Sequence, residues 1–234
     1  MISVRNITVN AGAFKLASVT FNIPHYAFGV VVGAAGAGKT TLLEAIAGVR
    51  ELHTGSIALN DRDVTFLPPE KRGVGLVYQR GALFPHKSVR ENIAWSSATT
   101  NIAAPIIERL GISSLFGTPI PALSGGERQL VALARALVRV RECLNQNERA
   151  VLLLDEPFSA LDPRRRRSTR EIVRGFHDEW SLTTLQVTHD GAEARRADHA
   201  VLLDAGRVIQ SGRPSELLAA PARDDVALFL SEAT

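Results

Sequence analysis

Cysteine is nearly absent. Cys143 is the only one in 234 residues, so no internal disulfide can form and a cysteine-built metal cage is not expected. A reducing compartment fits that usage. Long apolar runs are missing too: no segment approaches the roughly 20 residues of a bilayer-spanning helix. The opening MISVRNITVN also lacks the apolar core of a signal peptide, so the chain is expected not to span a membrane itself. Nor is charge of one sign in excess, with 27 Lys and Arg against 24 Asp and Glu for a formal +3. A nucleic-acid module carries a denser basic face, and no nucleic-acid partner is expected. What is abundant is apolar material. At 45% hydrophobic residues the chain can bury a substantial core, which excludes disorder and suits one large domain or a core with a small insertion.

Short apolar runs at residues 28–32, 151–154, 182–187 and 200–203 alternate with helical stretches, the rhythm of an α/β domain. Between residues 88 and 137 strand-like runs disappear, and helix-forming segments are broken by Pro105, Gly111, Pro119 and Pro121. That stretch reads as an inserted helical subdomain. Residues 7–9, 19–23 and 56–59 predict an antiparallel sheet in the first 65 residues, and residues 201–210 predict a hairpin turning at Asp204-Ala205-Gly206. Short helices follow it.

The run at residues 28–32 leads directly into Gly33-Ala34-Ala35-Gly36-Ala37-Gly38-Lys39-Thr40-Thr41, which satisfies G-x-x-x-x-G-K-[ST] in its strand-loop-helix setting. Glycines let the backbone curl so that successive N–H groups point inward, and the following helix adds its positive N-terminal end. Together they make a polyphosphate seat. Lys39 would reach the β and γ phosphates, the Thr40 hydroxyl would ligate Mg²⁺, and Thr41 would bond near the α phosphate. Leu42, Ala45 and Ile46 would anchor the helix, which can stop at Gly48. A glycine-rich turn with an incidental lysine is the bland alternative.

A second acidic element, residues 151–157 (VLLLDEP), reads as a buried parallel strand ending in two carboxylates. Asp155 would hold Mg²⁺, and Glu156 would polarise the water that attacks the γ phosphate. Standing alone, the pair could equally be a polar strand exit or a helix cap.

Leu123-Ser124-Gly125-Gly126-Glu127-Arg128-Gln129 resembles the LSGGQ signature of ATP-binding cassette proteins and lies between the two nucleotide motifs, as in that family. The order of other elements matches across essentially the whole chain: Gln79 after Val77-Tyr78, Ser159-Ala160-Leu161-Asp162 after the acidic pair, and His189 at a strand end. The resemblance implies an α/β fold, a P-loop NTPase (RecA-like) core over residues 1–87 and 138–234 with an N-terminal antiparallel β subdomain. It implies a helical subdomain over residues 88–137 that carries the signature. By the same likeness Gln79 would touch the metal or attacking water, Asp162 would belong to the D-loop, and His189 would contact the γ phosphate. Ser124, Gly125 and Gly126 would close on ATP held by another subunit, so that two chains pack head to tail around two ATP molecules. The residues themselves also support a simpler reading. Ser124-x-x-Glu127 is a capping box, and Leu130, Leu133, Ala134 and Leu137 share one helical face.

A nucleotide domain without membrane spans resembles the ATPase subunit of an importer, docked on separate transmembrane permease subunits at the cytoplasmic face of the membrane and served by an extracellular solute-binding protein. The segment LPPEKRGVGLVYQ at residues 67–79, with Leu83-Phe84-Pro85-His86, is most similar to subunits importing molybdate, tungstate or sulfate. Thiamine, iron and polyamine importers are alternatives, as is a soluble cassette ATPase outside transport. No C-terminal regulatory domain is expected.

The chain departs from the family in several places. Ala11 stands where an aromatic stacks on adenine, leaving Phe14 as the nearest substitute; Ala34-Ala35 replaces a Pro-Ser pair; and Leu130 replaces an Arg. Leu133, Leu137, Val140 and Leu144 predict an extended helix leaving through Asn145-Gln146-Asn147. Arg164-Arg165-Arg166-Arg167, with Arg170 and Arg174, reads as a solvated helix face, with anionic lipid or nucleic acid as the other possibilities. Trp95 and Trp180 read as packing residues.

Overall fold

Alternating and continuous apolar runs, cut by glycine and proline, set an element order that the computed structural model follows closely. It describes residues 1–79, 81–96, 100–146 and 148–231. In chain order the strands and helices begin with β1 (Ile2–Ala11), β2 (Phe14–Ile23), β3 (Phe28–Val32), α1 (Lys39–Ala47), β4 (Thr54–Leu59), β5 (Arg62–Asp63) and β6 (Val74–Val77). Next come α2 (Val89–Ala94), α3 (Thr100–Leu110), α4 (Gly125–Asn145), β7 (Val151–Asp155), α5 (Pro163–Glu179) and β8 (Thr183–Thr188). The last elements are α6 (Gly191–Arg195), β9 (His199–Asp204), β10 (Arg207–Gly212), α7 (Pro214–Ala219) and α8 (Asp224–Ser231). None of the described helices is long and apolar enough to cross a membrane. The chain divides into two units, residues 1–72 with 182–234, and residues 73–181.

In the first unit the predicted antiparallel sheet forms in the order β2-β1-β4-β5. Strand β2 buries Leu16, Val19, Phe21 and Ile23 and turns the residues between them outward, as a sheet with one dry face requires. The second sheet of this unit is built on β3, which pairs in parallel with β8 on one side and β9 on the other. All five β3 residues are buried, which is why its sequence is a continuous apolar run rather than an alternating one. β10 returns antiparallel to β9 through the predicted turn, where Ala205 and Gly206 both have positive φ, 43° and 78°. A buried guanidinium braces α1 from below. Arg72 donates to the carbonyls of Ala45 and Ile46 at the C-terminal end of that helix, and to those of Thr65 and Leu67. Four acceptors, two of them at a helix end, offset the cost of burying the charge.

In the second unit β6 and β7 run parallel, Val74 to Val77 facing Val151 to Leu154. Gly75 lies where a Cβ would meet the Ala136 carbonyl oxygen at 2.5 Å, so α4 packs directly on the β6 backbone. α2, α3 and α4 occupy the predicted helical stretch, with one isolated bridge between Ser88 and Pro119. α4 then continues unbroken to Asn145, as its apolar spacing predicts, and Asn147 of the expected exit loop lies outside the described residues. Trp180 packs on Phe176 at 4.6 Å between centroids and lies under Arg141. Trp95 does not conform to the packing expectation: it caps α2 and is 65% exposed, with Phe84 and Lys87 against its ring.

Candidate active site

In the first unit the site is made almost entirely of backbone. β3 delivers the chain to Gly33 at the centre of its sheet, where any Cβ would collide with the Leu203 carbonyl oxygen on β9. Gly36 has room around it but a φ of 79°, and Gly38, at 99°, is the N-cap of α1. Both conformations are costly for residues with a Cβ. Gly38 is also pressed from outside: Phe14 Cζ would stand 2.5 Å from a Cβ there, with Leu16 behind it. The Ala37 carbonyl accepts from the Gly206 amide at 3.1 Å, so the β9–β10 turn steadies the loop.

α1 opens without a side-chain cap and without an acidic residue in its first turn. Its leading N–H groups and positive end therefore face the loop with no acidic side chain in the first turn to neutralise them, the arrangement that favours a phosphate. Lys39 is 8% exposed and its Nζ donates to the Gly33 and Ala34 carbonyls at 2.7 and 3.0 Å, which curls its ammonium over the loop mouth. Thr40 is exposed, as are Ala34 and Ala35; Thr41 is half-buried. His189 is exposed directly after β8, ahead of α6, whose first turn is fixed by Asp190 accepting from the Ala192 amide. Ala11 pairs with Phe14 across the β1–β2 turn, and the Phe14 ring is spent at least in part on Gly38.

In the second unit the functional groups are held by side chains. Asp155 ends β7 at 2% exposure, and Glu156 follows half-buried with a φ of 44°. A non-glycine residue in that region costs about 1–3 kcal/mol and persists only where its surroundings hold it. They do. The Glu156 carbonyl accepts from Gln129 Nε2 at 2.9 Å, from Ser159 Oγ at 3.0 Å and from the Ser159 amide at 3.2 Å. Gln79 is exposed just past β6.

Ser124 forms the predicted capping box at the start of α4: its Oγ accepts from the Glu127 amide at 3.2 Å, and the Glu127 carboxylate accepts from the Ser124 amide at 2.8 Å. Hydrogen bonds from the Ser124 hydroxyl and then its amide hold the Glu127 carboxyl below its usual range. The two glycines differ. A Cβ on Gly126 would crowd the Ala160 carbonyl oxygen at 3.2 Å, whereas one on Gly125 would make only ordinary contact at 3.7 Å. Gly126 is thus a packing glycine, and Gly125 leaves its amide approachable. Asp162 caps α5 by accepting from the Arg165 amide at 3.0 Å.

Leu130 is buried at 6% exposure, an apolar replacement for the expected Arg. Of the arginine run, Arg164, Arg165 and Arg167 are exposed, while Arg166 is half-buried and donates to the Leu161 carbonyl at 3.3 Å. Sequence reasoning missed Gln129 and Arg72. Gln129 had a signal: it heads the stripe Leu133, Ala136, Val140 on α4, and a lone amide on an apolar stripe needs partners.

A model of the ABC transporter family matches residues 16–159. The sulfate/thiosulfate import ATP-binding protein CysA of Mycobacterium bovis is 41% identical over 239 residues, covering 98% of this chain and 66% of that protein. CysA of Nocardia farcinica is 40% identical over 242 residues, covering 99% of this chain and 71% of its own length. The chain therefore spans about two-thirds of the length of these relatives. Among solved structures, the dimeric ATP-binding cassette MJ0796 bound to ADP and Pi superposes with a TM-score of 0.79 at 24% identity, over 91% of this chain and 98% of that one. A bacterial Atm1-family ABC exporter with ATP bound gives 0.82 at 22% identity, over all of this chain and 42% of the exporter. Both likenesses concern the fold, an α/β cassette with an antiparallel β sheet beside its core.

Proposed function

The chain belongs to the ABC transporter family, and from that premise we propose that it is the ATP-hydrolysing subunit of an importer. It works as a head-to-tail homodimer at the cytoplasmic face of the membrane, docked on separate permease subunits that an extracellular solute-binding protein supplies. The observation that carries the reading is the Gly33 to Thr41 loop: glycine-dependent, opening onto an α1 terminus without an acidic cap, with Lys39 curled over its mouth. That chemistry seats a triphosphate.

Within this reading Lys39 and Thr41 bind phosphate oxygens, and Phe14 lies toward the base in place of an aromatic at Ala11. Glu156 polarises the attacking water, while Gln79 and His189 orient it and the γ phosphate. Ser124, Gly125 and Gly126 close on the nucleotide of the twin chain, beside Asp162. Thr40, Asp155 and Gln79 would hold Mg²⁺. They are hard oxygen donors of the type this ion takes, and phosphate oxygens and waters would complete its shell. Bound there, the ion neutralises charge on the phosphates. Binding of ATP favours the closed pair, and loss of the γ phosphate removes the charge that joins the halves.

The cargo we infer is a sulfate-type oxyanion, because the relatives that cover nearly all of the chain are named as sulfate/thiosulfate import proteins. Glu156→Gln should keep ATP binding, cut steady-state hydrolysis by about 10²–10⁴-fold and accumulate ATP-bound dimers on size-exclusion chromatography. Undiminished turnover would remove Glu156 from the role. Recovery of labelled sulfate, rather than molybdate, thiamine or polyamine, with the assembled transporter tests the cargo.

A further inference from the structure

One buried amide joins the signature helix to the loop of the water-polarising carboxylate. Gln129 is 2% exposed on the second turn of α4. Its Nε2 donates to the Glu156 carbonyl at 2.9 Å and lies 3.5 Å from Ser159 Oγ, and its Oε1 accepts from the Ala160 amide at 2.9 Å. Both ends of the amide are thus used on the same five-residue loop. Gly126, one turn earlier on α4, rests on the Ala160 carbonyl and Leu161. Glu156 sits in the left-handed region, where a non-glycine residue does not rest unless held, and the carbonyl that Gln129 grips is its own. Losing that grip lets the Glu156 backbone relax out of the left-handed region, and the direction of its Cβ changes with φ.

We propose that Gln129 is a positioning residue for hydrolysis, fixing the Glu156 peptide in its left-handed conformation from the signature helix so that the carboxylate keeps its aim at the attacking water. This rests on Glu156 being the water-polarising group. Displacement of a reacting group by about 1 Å costs on the order of 10²-fold in rate, so the effect belongs in kcat and not in nucleotide affinity.

The experiment compares Gln129→Met, which keeps the shape and removes both hydrogen bonds, with Gln129→Glu, in steady-state ATP hydrolysis from pH 6 to 8 and in titration with a fluorescent ATP analogue. Gln129→Met should lose about 10²-fold in kcat with its ATP affinity within about twofold of the parent. Gln129→Glu should be as impaired at pH 8, where a carboxylate faces the Glu156 carbonyl. It should recover as pH falls, because burial raises that carboxyl and its protonated form donates the missing hydrogen bond. Parallel pH profiles for the two variants would overturn the proposal, as would parental kcat in folded Gln129→Met. Ser159→Ala, which removes a second donor to the same carbonyl and leaves α4 intact, should show a smaller fall in kcat, and an unchanged kcat there also counts against the proposal. Glu156→Gln run beside them separates the two ideas: if it hydrolyses ATP normally, the reading of Glu156 fails, whereas normal hydrolysis only in the Gln129 variants refutes Gln129 alone.

Discussion

The phosphate loop and the carboxylate loop solve the same problem by opposite means. Residues 33–41 hold their shape because their glycines let other groups come close: Gly33 lies against a β9 carbonyl, Gly38 lies under the Phe14 ring, and Ala37 is tied to the β9–β10 turn. Residues 156–162 hold theirs through side chains. Gln129 grips the Glu156 carbonyl and the Ala160 amide, Ser159 bonds back to Glu156, and Asp162 caps the helix that follows. A backbone-built site tolerates no added atom. A side-chain-built site fails when one polar group is deleted and its buried partners are left without hydrogen bonds.

Gly33→Ala is the severest way to break the contrast. Its methyl would be driven into a β9 carbonyl, and a cost of about 3 kcal/mol is expected, read as a fall of about 6–12 °C in Tm together with lost ATP binding. A variant that binds and melts like the parent means the loop is not backbone-limited. Lys39→Ala sharpens the same side: the loop keeps its glycines and loses one charged donor, so ATP affinity should drop about 10–100-fold by calorimetry. Retained affinity would contradict the phosphate seat. On the other side, Ser124→Ala deletes the cap at the start of α4 and should lower Tm by about 2–4 °C.

The smallest effect is in acid. The Glu127 carboxyl is held below its usual range, so what it adds to stability is present above the unfolded pKa and is lost as pH falls through the lower folded one. Melting the parent and Ser124→Ala between pH 6 and pH 3 should therefore show the gap between them narrowing toward acid. A constant gap would mean the capping box does not set the titration.

How far the sequence could be read follows the same division. The phosphate loop was legible because its requirements are local: strand, glycine spacing, lysine and helix lie in one stretch of chain. β3 and β7 were legible because strands covered on both faces become apolar without interruption, and the β9–β10 turn because Ala205-Gly206 falls between two strand-like segments. β6 did not stand out as an apolar run. Gly75 breaks its pattern, and the reason for that glycine is the approach of α4 more than sixty residues later. The grip of Gln129 on residues 156 and 160 and that of Arg72 on the end of α1 are likewise long-range, and nothing local announces the partner. Trp95 was misread for a related reason: an aromatic beside a helix usually packs inward, but here Phe84 and Lys87 cover only part of the ring.

Cys143 lies on the buried side of α4 with no exposed surface, and burial pushes its thiol above the ordinary range. Maleimide and disulfide chemistry need an accessible thiolate. A probe or tether attached through Ala35→Cys or Arg164→Cys would therefore report from its chosen position against a silent background, and the native sulfur would not have to be removed first.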